Sequence, residues 1–369
     1  SFAFAVVAVA VVGSLFITGA RYAADVAFAK AVGIDRSEEG TIDEVISELN
    51  RAVMFNGLSD VYQRNLSSAY LIQARELIAA TAGEEERTAQ ETQSIIDAVT
   101  ASVNAAARAT AIEPNYVSNW VVRGSMYRDL MGFAQGAEDL AAQSFQNAIA
   151  LEPNNPVHPT NLGRVYLTVA DRARNLKSAE DEELAAQAAE QETTLLAGAE
   201  QAFTSAIGFK SDYLPAHYYL AAVYERQGKL EQAAARLAAL RNNNPADIGL
   251  AFQLSQLLIR LQRYDIATQE LERIVGLSPN YSNALWYLAS MYEIEGDQDK
   301  AIEAVRKVVE INPENELAQS RLDRLEAGET TTVIPEPIQS GQEGATEVDE
   351  GEVVEEPAPE EEAAVEIEE

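Results

Sequence analysis

The sequence predicts an all-α protein in which about seven pairs of antiparallel helices stack into a solenoid. Three observations predict this architecture. A 34-residue period marked by prolines runs through the chain, the first residues form an uncharged apolar run, and the last residues are acidic without any basic residue. The period predicts stacked helical units, whereas the two ends predict a transmembrane helix and a disordered acidic tail.

The chain opens with an apolar run from Phe2 to Ala20 that contains no charged residue and is followed by Arg21. At about 1.5 Å per residue this run spans roughly 28 Å, which is close to the thickness of a bilayer core. We therefore expect residues 1–21 to form a transmembrane helix that contacts the membrane through residues 2–20. Two alternatives stay open: a signal peptide cleaved near Thr18-Gly19-Ala20, and a buried helix of the fold.

Three prolines set the period, because Pro245, Pro279 and Pro313 are each 34 residues apart. Small residues recur in register with them, and large apolar residues recur three, four and seven positions away. This pattern predicts two helices per unit that approach each other closely at the small side chains. The small residues are Ala221, Ser255 and Ala289 on the first helices and Ala233, Ala267 and Ala301 on the second helices.

These columns resemble the tetratricopeptide repeat (TPR), a helix–turn–helix unit of 34 residues. The resemblance extends upstream in less regular form, so we expect a TPR solenoid over residues 22–327 that ends in a capping helix. Two upstream units exceed the period by 23 and 24 residues between their two helices. The expected result is two long helical-hairpin insertions, near residues 72–98 and 170–196, with tips near Gly83–Arg87 and Lys177–Asp181.

An aromatic residue recurs at one position of the first helix in three consecutive units, and an arginine follows about two turns later in two of them. The residues are Tyr218, Phe252 and Trp286, with Arg226 and Arg260. In TPR folds the first helices line a concave groove. The resemblance therefore implies an aromatic ladder that binds an extended segment or helix of a partner protein. The alternative is a column that only packs against the neighbouring helix.

Composition excludes several function classes. The formal charge of −32 would repel nucleic acid phosphates, so no nucleic acid partner is expected. The chain has no cysteine, and its two histidines, His158 and His217, are too few for an ordinary histidine-based metal site. No phosphate-binding glycine loop is present. We predict a protein that is not an enzyme and that has no catalytic, cofactor-binding or metal-binding residues; its oligomeric state stays open.

Residues 328–369 contain 15 acidic residues and no Lys or Arg, interrupted by four prolines. Such a segment buries too little apolar surface to offset its ordering entropy, so it is predicted to be disordered. It is either a solubilising spacer or an arm that binds basic partners or divalent cations.

A second resemblance concerns the stretch from Arg21 to Asp25 and the stretch from Tyr62 to Leu71. With the preceding apolar run, these are similar to the end of bacterial O-antigen ligase or polymerase-like membrane proteins that carry a TPR domain. That resemblance implies an extracytoplasmic repeat domain. Two functions follow: a membrane-tethered, non-catalytic scaffold, or the accessory region of a polytopic glycan-assembly enzyme. In the second case the catalytic part is missing from this chain, which starts at Ser1 rather than Met.

Overall fold

The computed structural model describes residues 2–37, 39–81, 87–177, 181–331, 333–335 and 337, with side chains in the first helix described from Val11 onward. Every regular element in these ranges is an α-helix. The helices are α1 (Phe2–Asp35), α2 (Ile42–Phe55), α3 (Asp60–Ala80), α4 (Ala89–Ile112), α5 (Val117–Asp129), α6 (Ala137–Leu151), α7 (Val157–Leu176), α8 (Glu182–Phe209), α9 (Leu214–Arg226), α10 (Leu230–Asn243), α11 (Ile248–Arg260), α12 (Tyr264–Leu277), α13 (Ser282–Glu295), α14 (Gln298–Ile311) and α15 (Glu316–Glu326).

The predicted all-α stack of helix pairs is confirmed. Within the described ranges, α1 to α14 form seven consecutive pairs, and α15 follows as a single last helix that packs against α14. The predicted disordered tail falls almost wholly in residues 338–369, and the predicted hairpin tips fall mainly in residues 82–86 and 178–180. Those residues lie outside the described part of the chain.

The chain divides into two compact units, Ser1–Ser211 and Asp212–Glu369. In the N-terminal unit, each helix from α1 to α8 packs against the next, and the first helices α3, α5 and α7 also contact one another in order. In the C-terminal unit, each helix from α9 to α15 packs against the next. The C-terminal unit has one continuous apolar core that runs from α9 to α15.

Helix α1 runs without a break from the apolar run into the first helix pair. It is apolar and long enough between Val11 and Asp35 to cross a membrane. Residues 11–19 are all exposed, whereas Ala24 and Ala27 are buried against Ala52 of α2 and Tyr62 of α3. Residues 11–19 of α1 therefore stand clear of the protein, whereas its last turns belong to the core.

Small residues set the separation of the paired helices, as the period predicts. Ala233, Ala267 and Ala301 have no exposed surface. In the N-terminal unit a glycine of the first helix α7 takes the place of the first-helix small residue, and an aromatic ring of the partner helix lies over it. A Cβ added at Gly163 of α7 would lie 2.6 Å from the ring of Phe203 on α8. The ring fills the space that any larger residue would need, and it is itself fully buried.

We predict that Gly163→Ala destabilises the N-terminal unit by about 1–3 kcal/mol, because Phe203 has no room to move and overpacking costs about that much. The matched control is Gly208→Ala on the partner helix α8, where the new methyl group meets no atom within 4 Å. It should be neutral or stabilising, since alanine favours helix over glycine by about 1 kcal/mol. Urea unfolding followed by circular dichroism measures both; equal midpoints for the two variants would contradict the packing argument.

Candidate functional site

The aromatic ladder of Tyr218, Phe252 and Trp286 lies on α9, α11 and α13, at the same position of each first helix. Tyr218 and Phe252 are partly buried against the core of the C-terminal unit. Trp286 is 3% exposed. We call the side of this unit formed by α9, α11, α13 and α15 the inner face.

Each ladder ring is contacted by the side chain 35 positions later, which lies on the next first helix. Gln253 Nε2 donates a hydrogen bond of 2.6 Å to the Tyr218 hydroxyl. The Tyr287 ring centroid lies 5.8 Å from that of Phe252. These contacts continue at the end of the stack, where the guanidinium of Arg321 on α15 lies 4.3 Å from the centroid of the Trp286 ring. Sequence reasoning missed these three covering residues, whose only signal is the constant offset of 35.

The two predicted arginines lie on the same face but bind different groups. Arg260 of α11 forms an ion pair with Glu225 of α9, and both side chains are partly exposed. Arg226 donates a hydrogen bond of 3.4 Å to the backbone carbonyl of Ala222 in its own helix. Arg260 therefore contacts α9, the first helix of the preceding pair, whereas Arg226 contacts its own helix α9.

A buried ion pair closes the inner face at α15. Arg321 Nε donates to Glu293 Oε1 at 3.0 Å, and the two side chains are 4% and 0% exposed. The same guanidinium donates to Ser290 Oγ at 2.8 Å and to the backbone carbonyl of Trp286 at 3.0 Å. Burial lowers the pKa of Arg321 from its usual value, and the hydrogen bond to Glu293 opposes this shift. The pair thus fixes α15 against α13.

The chain after α15 turns back onto this face. We call its described residues, 329–331, 333–335 and 337, the tail segment. The backbone N–H of Thr331 donates a hydrogen bond of 3.1 Å to Glu293 Oε2. Ile334 packs against the apolar core. A cleft of about 690 Å³, the terminal cleft, lies between the tail segment, α15 and the Trp286 side chain.

The described residues show no arrangement suited to catalysis by metal ions. Among them, no group of three or more His, Cys, Asp or Glu side chains is placed to hold a metal ion. His158 lies 2.8 Å from a carboxylate oxygen of Glu152, and His217 lies 2.6 Å from a guanidinium nitrogen of Arg236. The arrangement of the inner face instead suits binding through aromatic rings, hydrogen-bonding side chains and paired charges.

The geometry defines the C-terminal unit as a helical repeat stack with an aromatic inner face. Comparison with known proteins names the repeat: residues 215–247 and 252–316 match tetratricopeptide repeat families. These residues are tetratricopeptide repeats. The resemblance of the stretch from Arg21 to Leu71 to O-antigen ligase-like proteins lies outside the matched residues and stays a prediction.

Two curated proteins are similar to part of the chain. Sperm-associated antigen 1 of Mus musculus is 28% identical over 159 residues, which are 43% of this chain and 16% of the mouse protein. The protein y4yS of Sinorhizobium fredii (strain NBRC 101917 / NGR234) is 32% identical over 87 residues, which are 23% of this chain and 48% of that protein. The chain thus spans less than half of the length of either relative.

Among solved structures, a tetratricopeptide repeat protein from Parabacteroides merdae ATCC 43184 superposes with a TM-score of 0.50 at 13% identity. The match covers 83% of this chain and 99% of the other. At this identity the likeness shows the fold alone, and it is a tetratricopeptide-type solenoid.

We predict that Arg321→Ala lowers the free energy of unfolding of the C-terminal unit by about 3–5 kcal/mol, because it leaves the Glu293 carboxylate buried without its counter-charge. The matched control is Arg306→Ala on α14, which breaks the exposed pair between Arg306 and Glu326 of α15 and should cost less than about 1 kcal/mol. Urea unfolding followed by Trp286 fluorescence, in a Trp120→Phe background, separates the two. Equal losses would show that α15 is not held by this pair.

Proposed function

We propose that the chain is a non-catalytic, membrane-tethered scaffold that binds protein or peptide segments along the inner face of its C-terminal unit. The observation that carries this proposal is the register of the aromatic ladder, in which each ring is followed by the side chain 35 positions later on the next helix. Such a register produces a continuous strip of rings, amides and guanidinium groups along one side of the stack. Aromatic and arginine side chains supply much of the energy at protein interfaces.

The ladder is suited to an extended or helical segment because its rings are spaced by one repeat and are held by their neighbours. Phe252 is fixed on two sides, with the Tyr281 ring 5.2 Å and the Tyr287 ring 5.8 Å away between centroids. Tyr218 is fixed by the hydrogen bond from Gln253. Rings that are already ordered lose little side-chain entropy when a ligand covers them. Tetratricopeptide repeat proteins bind protein or peptide partners, which agrees with this use of the face.

We predict that replacing Tyr218, Phe252 and Trp286 together with Ala weakens peptide binding at least about tenfold, since each lost ring at an interface centre costs more than about 1 kcal/mol. The probes are 12-residue peptides selected from a random display library on the wild-type chain, with affinities measured by fluorescence anisotropy. The control is Phe133→Ala, which removes a ring that is 81% exposed in the N-terminal unit. Unchanged affinity in the triple variant would exclude the ladder; loss of helicity would assign it to core packing.

The membrane tether is supported by the exposed residues near the end of the apolar run of α1. Ala24, four residues after the apolar run, belongs to the same buried cluster as Ala52 of α2. Close to these residues in the chain, Tyr22, Met54 and Leu58 are 72%, 71% and 75% exposed. An exposed tyrosine just after an apolar span is typical of the interfacial layer of a bilayer. We place the repeats on the extracytoplasmic side, as the second resemblance implies.

We predict that replacing Leu15 and Phe16 with Asp abolishes co-flotation of the full chain with phospholipid vesicles, because a carboxylate at the centre of a span costs about 2.5–3.5 kcal/mol per residue. The matched control is Leu176→Asp, which changes an exposed leucine of α7 and should float as the wild type does. Flotation of the double variant at the wild-type level would exclude α1 as the tether. Protease accessibility of the repeats in intact cells reports the side of the membrane.

A further inference from the structure

The terminal cleft differs from the rest of the inner face because part of the chain already lies across it. Trp286, Leu317, Arg321 and Arg324 line it from α13 and α15, and Thr331, Val333 and the tail prolines line it from the tail segment. The contact is that of a short peptide without regular secondary structure on a helical surface. The chain therefore shows what kind of ligand this surface accepts.

Few contacts hold the tail segment in place. Its backbone is anchored at Thr331, whose N–H donates to the Glu293 oxygen that Arg321 leaves free. Its main apolar anchor is Ile334 on the core. By contrast, Val333 is 73% exposed, and the cleft beside the segment retains about 690 Å³. The segment thus fills the terminal cleft only in part.

The terminal cleft also has binding capacity that the tail segment does not use. Nε of Arg324 is buried and has no hydrogen-bond partner in the described part of the chain. Leu317, which is 71% exposed, offers apolar surface at the same cleft. A ligand carboxylate is the group that the guanidinium of Arg324, which lines the cleft, binds best. Prolines favour the ligand as well, because they hold a peptide extended before it binds.

We propose that the terminal cleft binds extended segments in which a β-branched apolar residue precedes proline and a carboxylate reaches Arg324, and that the tail segment occupies this cleft in the free protein. The proposal rests on the proposed function and names its ligand class and its regulation. Because the tail segment follows α15 directly, its local concentration is high, and a partner must displace it. Removal of the segment from the cleft raises the affinity for such a partner.

The test uses the full chain and a synthetic peptide with the sequence of residues 328–340, GETTTVIPEPIQS. In the variant Ile334→Asp the tail segment loses its apolar anchor and leaves the cleft. We expect this variant to bind the added peptide at least about tenfold more tightly than the wild type does, as measured by calorimetry. The matched control is Thr330→Asp, which places the same charge at an exposed residue of the tail segment that does not line the cleft, and it should behave as the wild type.

A second variant tests the same prediction in case Ile334→Asp disturbs the fold. Thr331→Pro removes the N–H that binds Glu293 without placing a charge on the core, and it should also raise the affinity. The carboxylate requirement is tested with a peptide in which both glutamates are glutamine; it should bind the Ile334→Asp chain more weakly, and Arg324→Gln should remove that difference.

Equal affinity of the added peptide for the wild type, Ile334→Asp and Thr331→Pro chains would overturn occupation by the tail segment. No binding to any chain would overturn the terminal cleft as a site. The proposed function is judged separately, by the library-selected peptides and the aromatic ladder, so a cleft that fails this test leaves that result intact.

Discussion

The close contact of paired helices at small residues is the constraint on which the rest of the structure depends. Where Ala233, Ala267 and Ala301 lie against the first helices, no larger side chain fits, so each pair has one separation and one register. Repetition of that register every 34 residues brings equivalent positions of α9, α11 and α13 to one side. The position of the inner face therefore depends on how the first helices pack against the second helices. A larger residue in place of one of these alanines would displace the ladder residues without contacting them.

The fold could be predicted from the sequence because the period is local and chemically regular. The residues that contact the ladder could not, because Gln253, Tyr287 and Arg321 occupy one column with an amide, a ring and a cation. A period is visible only where a position needs the same kind of side chain in every unit. Arg321 and Glu293 also resemble solvated surface charges until the fold brings them together, 28 positions apart, in a site that excludes water.

The tail segment shows a second limit of sequence reasoning. The segment is anchored to Glu293 by the backbone N–H of Thr331. Every residue except proline carries this group, so the contact cannot be predicted from the side chains in the sequence. Composition correctly marks residues 328–369 as acidic and poor in apolar groups. A composition average hides Ile334, which packs on the core at the start of this stretch. One apolar side chain and one backbone hydrogen bond hold this short segment beside the end of α15.

The unbroken course of α1 has a mechanical consequence. Because the apolar run and the first helix pair share one helix, no hinge separates the proposed membrane span from the N-terminal unit. A span that is longer than the local hydrocarbon layer tilts to fit it. In a chain tethered in this way, the tilt passes undiminished into α2 and α3, which pack on the last turns of α1 through Ala24 and Ala27. If α1 spans a membrane, the thickness of the bilayer sets the angle between the first repeats and the membrane plane.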